Sequence, residues 1–314
     1  MKIILTGASG FIGSHLFLQL ESLLSFEVLG LCRSQLADES NSKLLALGDL
    51  DQADVSALLS GANVFIHAAA RVHIMRELST DPLSDFRAVN TKVTLHLARQ
   101  AAKEGVKRFI FLSSIKVNGE STSRGAPLTA FNQRSPEDPA GKSKSEAEEQ
   151  LLALGKETGM EIVIIRPPLV YGEGVKANFA SLMKLVGKGF PLPFRAINQN
   201  KRSLVSVYNL VDLIKVCIDH PKAANQVFLV SDDDDMSTSR MVALMAKAQG
   251  KANLSLPVPV WCFKLAGKLF RKEAVVDRLV GSLQLDIEHT KNTLDWAPPY
   301  SVEHGFALAA TKKN

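Results

Sequence analysis

The segment Thr6-Gly-Ala-Ser-Gly-Phe-Ile-Gly13 places glycines at 7, 10 and 13, with Ser9, Phe11 and Ile12 among them. It follows an apolar run, Ile3–Leu5, and opens an amphipathic one, about Phe11 to Leu24. Such a strand–turn–helix junction can cradle a pyrophosphate. Gly7 permits the tight turn, Gly10 lets backbone N–H groups approach the anion, and Gly13 lets helix and sheet pack closely. In this context the pattern indicates dinucleotide binding. An acid about 20 residues further on would grip the ribose hydroxyls of NAD. That place reads Leu31-Cys32-Arg33-Ser34, and the next acid is Asp38. Arg33 stands where it could meet a 2′-phosphate, so NADP(H) is favoured, with NAD(H) as the other option. Asp49 and Leu50, in Gly48-Asp49-Leu50, are expected after a third strand, where Asp49 could reach the adenine or simply cap a helix.

These groups need a scaffold. Strand-like runs at Ile3–Leu5, Phe26–Cys32, Val64–His67, Arg108–Leu112 and Glu161–Ile165 alternate with helical segments, including Pro82–Glu104 and Gly141–Lys156. That alternation predicts parallel βαβ units and a doubly wound α/β sheet. After Arg166 the rhythm changes, with Pro167, Pro168, Pro191 and Pro193 breaking it. Helices are predicted over Ala177–Lys188, Asn209–His220, Ser237–Gln249 and Val260–Phe270, and a strand over Gln226–Val230. The run Asp232–Asp235 is expected to be a solvated turn, with Ser237 or Thr238 capping the next helix.

The 314 residues carry a net charge of +5, with 46 % hydrophobic and 22 % charged residues. That composition excludes disorder, collagen and coiled coil as the main class. No dense basic block with interleaved aromatics points to nucleic acid. The apolar stretch Trp261–Phe270 is interrupted by Lys264 and Lys268, so no membrane insertion is expected. Cys32, Cys217 and Cys262 have no disulfide-like or metal-like spacing, which fits a reducing cytoplasm and a site without metal.

Further along stand His67-Ala68-Ala69-Ala70, Asn90, Ser113-Ser114 and Lys144. With the glycine loop, this series resembles the extended short-chain dehydrogenase/reductase family, in its epimerase/dehydratase branch. The resemblance covers essentially the whole chain and implies a Rossmann domain over 1–166. A smaller nucleotide-sugar-binding lobe would occupy 167–314, with segments around 203–230 returning to the first domain. It assigns Ser114 to hydrogen-bond the sugar O4. It assigns Lys144 to hold the nicotinamide ribose and depress the pKa of a neighbouring phenol. Ala68–Ala70, Asn90 and Arg166 join the cofactor site, Arg166 in the segment that closes over the nicotinamide.

One position departs from the family pattern Tyr-Gly-x-Ser-Lys. Here it reads Ala140-Gly141-Lys142-Ser143-Lys144, and alanine exchanges no proton. Tyr171, Tyr208 and Tyr300 are out of register as replacements. A substitution introduced to trap a complex and a natural loss of catalysis both explain Ala140, and the intact surroundings favour the former. The acid pair that sugar 4,6-dehydratases carry after the catalytic hydroxyl is here Ile115-Lys116, which disfavours dehydration. Arg33 then favours exchangeable NADPH and hence reduction of a 4-ketosugar, with a UDP-N-acetylhexosamine 4-epimerase as the alternative. Ser113–Glu120, Arg166–Gly172 and Val175–Phe179 resemble reductases of UDP-4-keto-6-deoxy-N-acetylglucosamine that serve bacterial surface polysaccharide. That likeness puts Asn178, Arg202 and Arg278 on the UDP-sugar diphosphate. A catalytically silent nucleotide-binding regulator on the same fold is the remaining alternative. Stripes of Phe86, Val89, Val93 and Leu97, and of Ala147, Leu151 and Leu154, are where the family resemblance puts a homodimer.

Overall fold

The computed structural model describes residues 1–34, 42–71, 80–123 and 125–311, so Asp38 lies outside the described residues. Its first lobe opens with β1 (Lys2–Thr6), α1 (Phe11–Glu21), β2 (Glu27–Cys32), β3 (Leu44–Ala46), α2 (Ser56–Leu59) and β4 (Val64–His67). Helices α3 (Pro82–Arg87) and α4 (Thr94–Lys103), β5 (Arg108–Leu112), α5 (Pro139–Thr158) and β6 (Glu161–Arg166) complete it. Then follow β7 (Leu169–Tyr171), α6 (Ala177–Gly187), β8 (Leu204–Ser206), α7 (Val207–Asp219), β9 (Gln226–Leu229) and α8 (Thr238–Ala248). The chain ends with α9 (Val260–Leu269), α10 (Glu273–Val280), α11 (Glu288–Leu294) and α12 (Val302–Ala310).

Seven strands form one parallel sheet in the order β3-β2-β1-β4-β5-β6-β9. The order reverses at β1, which pairs with β2 on one side and β4 on the other. A crevice opens there at the carboxyl ends of the strands, the place where doubly wound sheets bind ligands. Both faces of the sheet are covered, so strands such as Val64–His67 and Arg108–Leu112 are buried along their whole length. Side chains alternate between two cores. Ile3, Leu5, Ile66 and Ile110 join α1 and α7, whereas Ile4, Phe65 and Phe109 join α4 and α5. Strand β9 pairs with β6, so the segment carrying α7 and β9 belongs to this sheet and its core. A third core, with Tyr171, Phe179, Met183, Val242, Met245 and Phe306, fills the second lobe beside the small β7–β8 pair.

Some sequence expectations change here. Val93, Leu97, Ala147 and Leu151 meet in one intrachain core. These residues of the two stripes thus supply core within one chain. Asp232 is no solvated turn residue. It is buried, and its carboxylate accepts from Tyr171 Oη at 2.7 Å, Ser206 N at 2.8 Å and Asn209 Nδ2 at 2.7 Å. Burial raises its pKa, while the hydrogen bonds oppose that shift. Ser237 does cap α8, accepting from Arg240 N at 3.1 Å. The small strands β7 and β8 and the last three helices were not anticipated.

Candidate active site

The glycine loop joins β1 to α1 as expected. Gly7 has φ +74°, and a Cβ there would lie 2.6 Å from Ala69 N. The Ala68–Ala70 segment therefore runs against the loop, and only glycine fits between them. A Cβ on Gly13 would lie 2.0 Å from Gly7 O, so α1 can approach the loop only at a glycine. Ser9 and Gly10 are exposed, and Phe11 and Ile12 are half-buried at the start of α1. The helix has no side-chain cap and no acid in its first turn. Its N–H groups and the positive end of its dipole thus suit an anion such as a dinucleotide pyrophosphate. Arg33 is exposed just beyond β2, and its carbonyl accepts from Gly48 N at 3.1 Å. Asp49 is therefore next to it, exposed, while Leu50 packs on the core.

Beneath the crevice lies a polar layer. His67 is fully buried, with Nδ1 2.7 Å from Thr6 Oγ1 and Nε2 3.0 Å from Thr94 Oγ1. Burial, assisted by the charge of Lys144, drives its pKa down to about 3, so the ring is neutral. Asn90 lies in a π-helical turn, Ala88–Val93, that interrupts the helix expected over 82–104. Its amide bonds the backbone of Arg71 at 2.8 and 3.2 Å and Ser143 Oγ at 3.1 Å. Ser143 Oγ in turn donates to Ala140 O at 2.8 Å. Asn90 therefore acts on the start of α5 by positioning it.

Ser114 follows β5 and caps a short 3₁₀ turn, Ile115–Val117, with its Oγ accepting from Lys116 N at 3.3 Å. Helix α5 begins at Pro139, two residues before the expected start, because Asp138 caps it by accepting from Gly141 N at 2.7 Å. Ala140 thus sits in the first turn, with Lys144 one turn on along the same face. A Cβ on Gly141 would lie 2.8 Å from Lys116 O, so glycine brings this turn against the Ser114 loop. Lys116 Nζ also pairs with Asp138. Lys144 is buried, its Nζ donating to Leu112 O at 2.7 Å and lying 4.2 Å from the Phe111 ring centre. Burial holds its pKa down to about 7, and Glu148 opposes that shift. Strongly perturbed titrating groups in a crevice are a physical signature of a working site.

One centre was missed in the sequence. Glu148 is fully buried one turn beyond Lys144, and it accepts from Ser113 Oγ at 2.5 Å. Arg166 grips it through Nε at 2.9 Å and Nη2 at 2.5 Å, and donates Nη1 to Asn118 Oδ1 at 2.9 Å. The Arg166 guanidinium is thus directed into the protein, where it ties β6 to α5. The i, i+4 spacing from Lys144 to Glu148 was the signal available. Tyr171 is fully buried and bonded to Asp232, and burial raises its pKa well above the ordinary phenol range. It supplies no proton to the site.

The expected diphosphate ligands are partly assembled. Arg202 Nη1 donates to Arg278 O at 3.0 Å and Gly281 O at 3.3 Å. Burial and the neighbouring Arg278 lower its pKa. Arg278 is exposed, with Nε 4.0 Å from Glu120, four residues beyond Lys116. The two arginines therefore stand together near the Ser114 turn. Asn178 is exposed in the first turn of α6.

Comparison with known proteins fits this arrangement. A UDP-glucose 4-epimerase of Vibrio cholerae is 54 % identical over 310 residues, covering 98 % of this chain and 94 % of the relative. An N-acetyl-alpha-D-glucosaminyl-diphospho-ditrans,octacis-undecaprenol 4-epimerase of Escherichia coli O157:H7 is 28 % identical, covering 97 % of this chain and 93 % of that protein. The structure of Bacillus cereus UDP-glucuronic acid 4-epimerase in complex with NAD has the same fold, at TM-score 0.78 and 21 % identity. It covers 99 % of this chain, and the match takes in 96 % of that structure. The 4-keto reductase expected from Arg33 is overturned by the 54 % identical relative, whose name is that of a 4-epimerase. The preference for NADP(H) likewise finds no support, since an exposed arginine beyond β2 does not require a 2′-phosphate. Residues 3–231 match the NAD dependent epimerase/dehydratase family, and the chain belongs to that family.

Proposed function

We propose that this chain is a UDP-hexose 4-epimerase scaffold that keeps NAD as a resident cofactor, with UDP-glucose and its C4 epimer as the substrate class. The observation that carries the reading is the 54 % identity to a UDP-glucose 4-epimerase across nearly the full length of both chains. The glycine loop, the uncapped start of α1 and the buried Lys144 fit the cofactor. NAD bound there would supply reversible hydride acceptance at the sugar C4.

The chain's own residues do the rest. Ser114 holds the O4 oxygen through its hydroxyl, which the 3₁₀ turn orients. Lys144, tied to Leu112 O, anchors the ribose and supplies positive charge beside the reacting oxygen. Glu148 and Arg166 keep α5 in register beneath it. Arg202 and Arg278 meet the diphosphate with donors suited to its oxygens. Ala140 leaves O4 without a side chain to take or return its proton, so turnover is strongly reduced in the chain as it stands. That gap also favours a second reading, a nucleotide-binding protein with no catalytic duty.

Cofactor economy separates epimerisation from reduction. The Ala140→Tyr protein, freed of added nucleotide, is incubated with UDP-glucose, and the NAD released on denaturation is quantified. Conversion to UDP-galactose with bound NAD and none added supports the proposal. No conversion of UDP-glucose, with one NADPH consumed per molecule of an added UDP-4-ketosugar, would overturn it, and retention of NAD with neither reaction would favour the silent reading.

A further inference from the structure

Helices α9 and α10 form a hairpin on the second lobe. Its inner side is well packed, with Gly267 buried and a Cβ there 2.8 Å from Val276 Cγ2. Phe263 stacks on Phe194 at 6.1 Å between ring centres. The outer side is different. Trp261, Leu265 and Leu269 recur every fourth residue and are 65, 61 and 75 % exposed. Phe270 and Val275 are also largely exposed, as are Leu254 and Leu256 in the approach to α9. Single exposed apolar residues are ordinary, but a row of this size along one helix is not.

Charge says what covers the row. Lys264 and Lys268 flank it on α9, which has no acidic residue, and Arg271 and Lys272 follow at the turn. Over Val260–Val280 the chain has five basic residues (Lys264, Lys268, Arg271, Lys272, Arg278) against Glu273 and Asp277. A protein partner would need a matching acidic and apolar surface. A bilayer rich in acidic phospholipid offers both at once, with headgroup phosphates for the lysines and an apolar layer beneath for Trp261, Leu265 and Leu269. No described helix is long and apolar enough to cross a membrane, so the hairpin would lie in the surface plane.

We propose that the outer face of the α9–α10 hairpin docks this protein on an anionic phospholipid surface. Arg278 sits at the far end of the same hairpin, 4.0 Å from Glu120, so docking brings the mouth of the sugar-diphosphate site to the membrane. The docking itself does not depend on the reaction catalysed.

The test is sedimentation with vesicles of phosphatidylcholine, with or without about one third phosphatidylglycerol. The intact chain should co-sediment with the acidic vesicles and not with phosphatidylcholine alone, and high salt should release it. Because the altered side chains are exposed, Trp261→Ser with Leu265→Ser should fold normally and lose binding at least tenfold. Lys264→Gln with Lys268→Gln should weaken it about 25-fold, roughly fivefold per lysine. Absence of binding to acidic vesicles overturns the proposal, as does binding that the Trp261/Leu265 variant leaves unchanged. So does a self-association in ultracentrifugation that the apolar variant abolishes in a chain indifferent to vesicles, because the face would then belong to a second copy.

Discussion

Replacing Glu148 by glutamine tests the platform beneath the site. The carboxylate is fully buried and accepts from Ser113 and from two nitrogens of Arg166, itself only 3 % exposed. The Glu148→Gln change would keep the shape, remove the charge and turn an N–H₂ toward groups that donate. Leaving a buried charge without its partner costs about 3–5 kcal/mol. At about 1.5 °C per kcal/mol for a chain of 314 residues, the melting temperature should drop by about 5–8 °C. A double variant with Arg166→Met removes the buried pair and should recover part of the loss, the rest staying with Arg134, whose Nε lies 3.4 Å from the Glu148 carboxylate. Lys144 gives a second readout. Its folded pKa of about 7 lies below the ordinary 10.5, so stability rises with pH between these values, where only the unfolded chain holds the extra proton. Glu148 raises that folded value, so the glutamine variant should begin its rise at lower pH. Urea denaturation across pH 6–10 measures both effects. A loss below about 1 kcal/mol, or a double variant no better than the single, would refute the reasoning.

Other outcomes follow from the same geometry. Gly13→Ala drives a methyl group against Gly7 O, so it should cost about 3 kcal/mol and abolish NAD binding, measured by denaturation and fluorescence titration. Acid should destabilise the chain through His67. From pH 6.5 down to about 3 only the unfolded ring takes a proton, removing up to about 5 kcal/mol, and His67→Gln should flatten that part of the curve. In an Ala140→Tyr background, Ser114→Ala should lower kcat roughly 10²–10³-fold with little change in KM, read by coupled assay.

The sheet was legible because its strands are apolar runs punctuated by glycine, and the βαβ rhythm admits few topologies. The phosphate loop was legible because its demands are steric and glycine alone meets them. The Ser114 and Lys144 positions followed from family register. Glu148 was hidden because an acid on a long helix reads as surface charge until the fold brings Arg166 beneath it. Asp232 was hidden among three other aspartates, since burial by Tyr171 and Asn209 comes from distant segments. The π turn at Asn90 leaves no mark in hydrophobic spacing. Arg33 misled because a single charge at a strand end has no required partner.

The central claim is that Ser114, Lys144 and the side chain at 140 form one proton-transfer unit for C4 epimerisation. The most direct measurement is the rate of UDP-glucose to UDP-galactose interconversion by the chain with Ala140 and by its Ala140→Tyr form, at matched NAD content. A rate roughly 10²–10⁴-fold higher with tyrosine is expected, the usual contribution of a positioned acid–base group. Equal and substantial rates in the two forms would contradict the claim, because the proton would then travel through another residue.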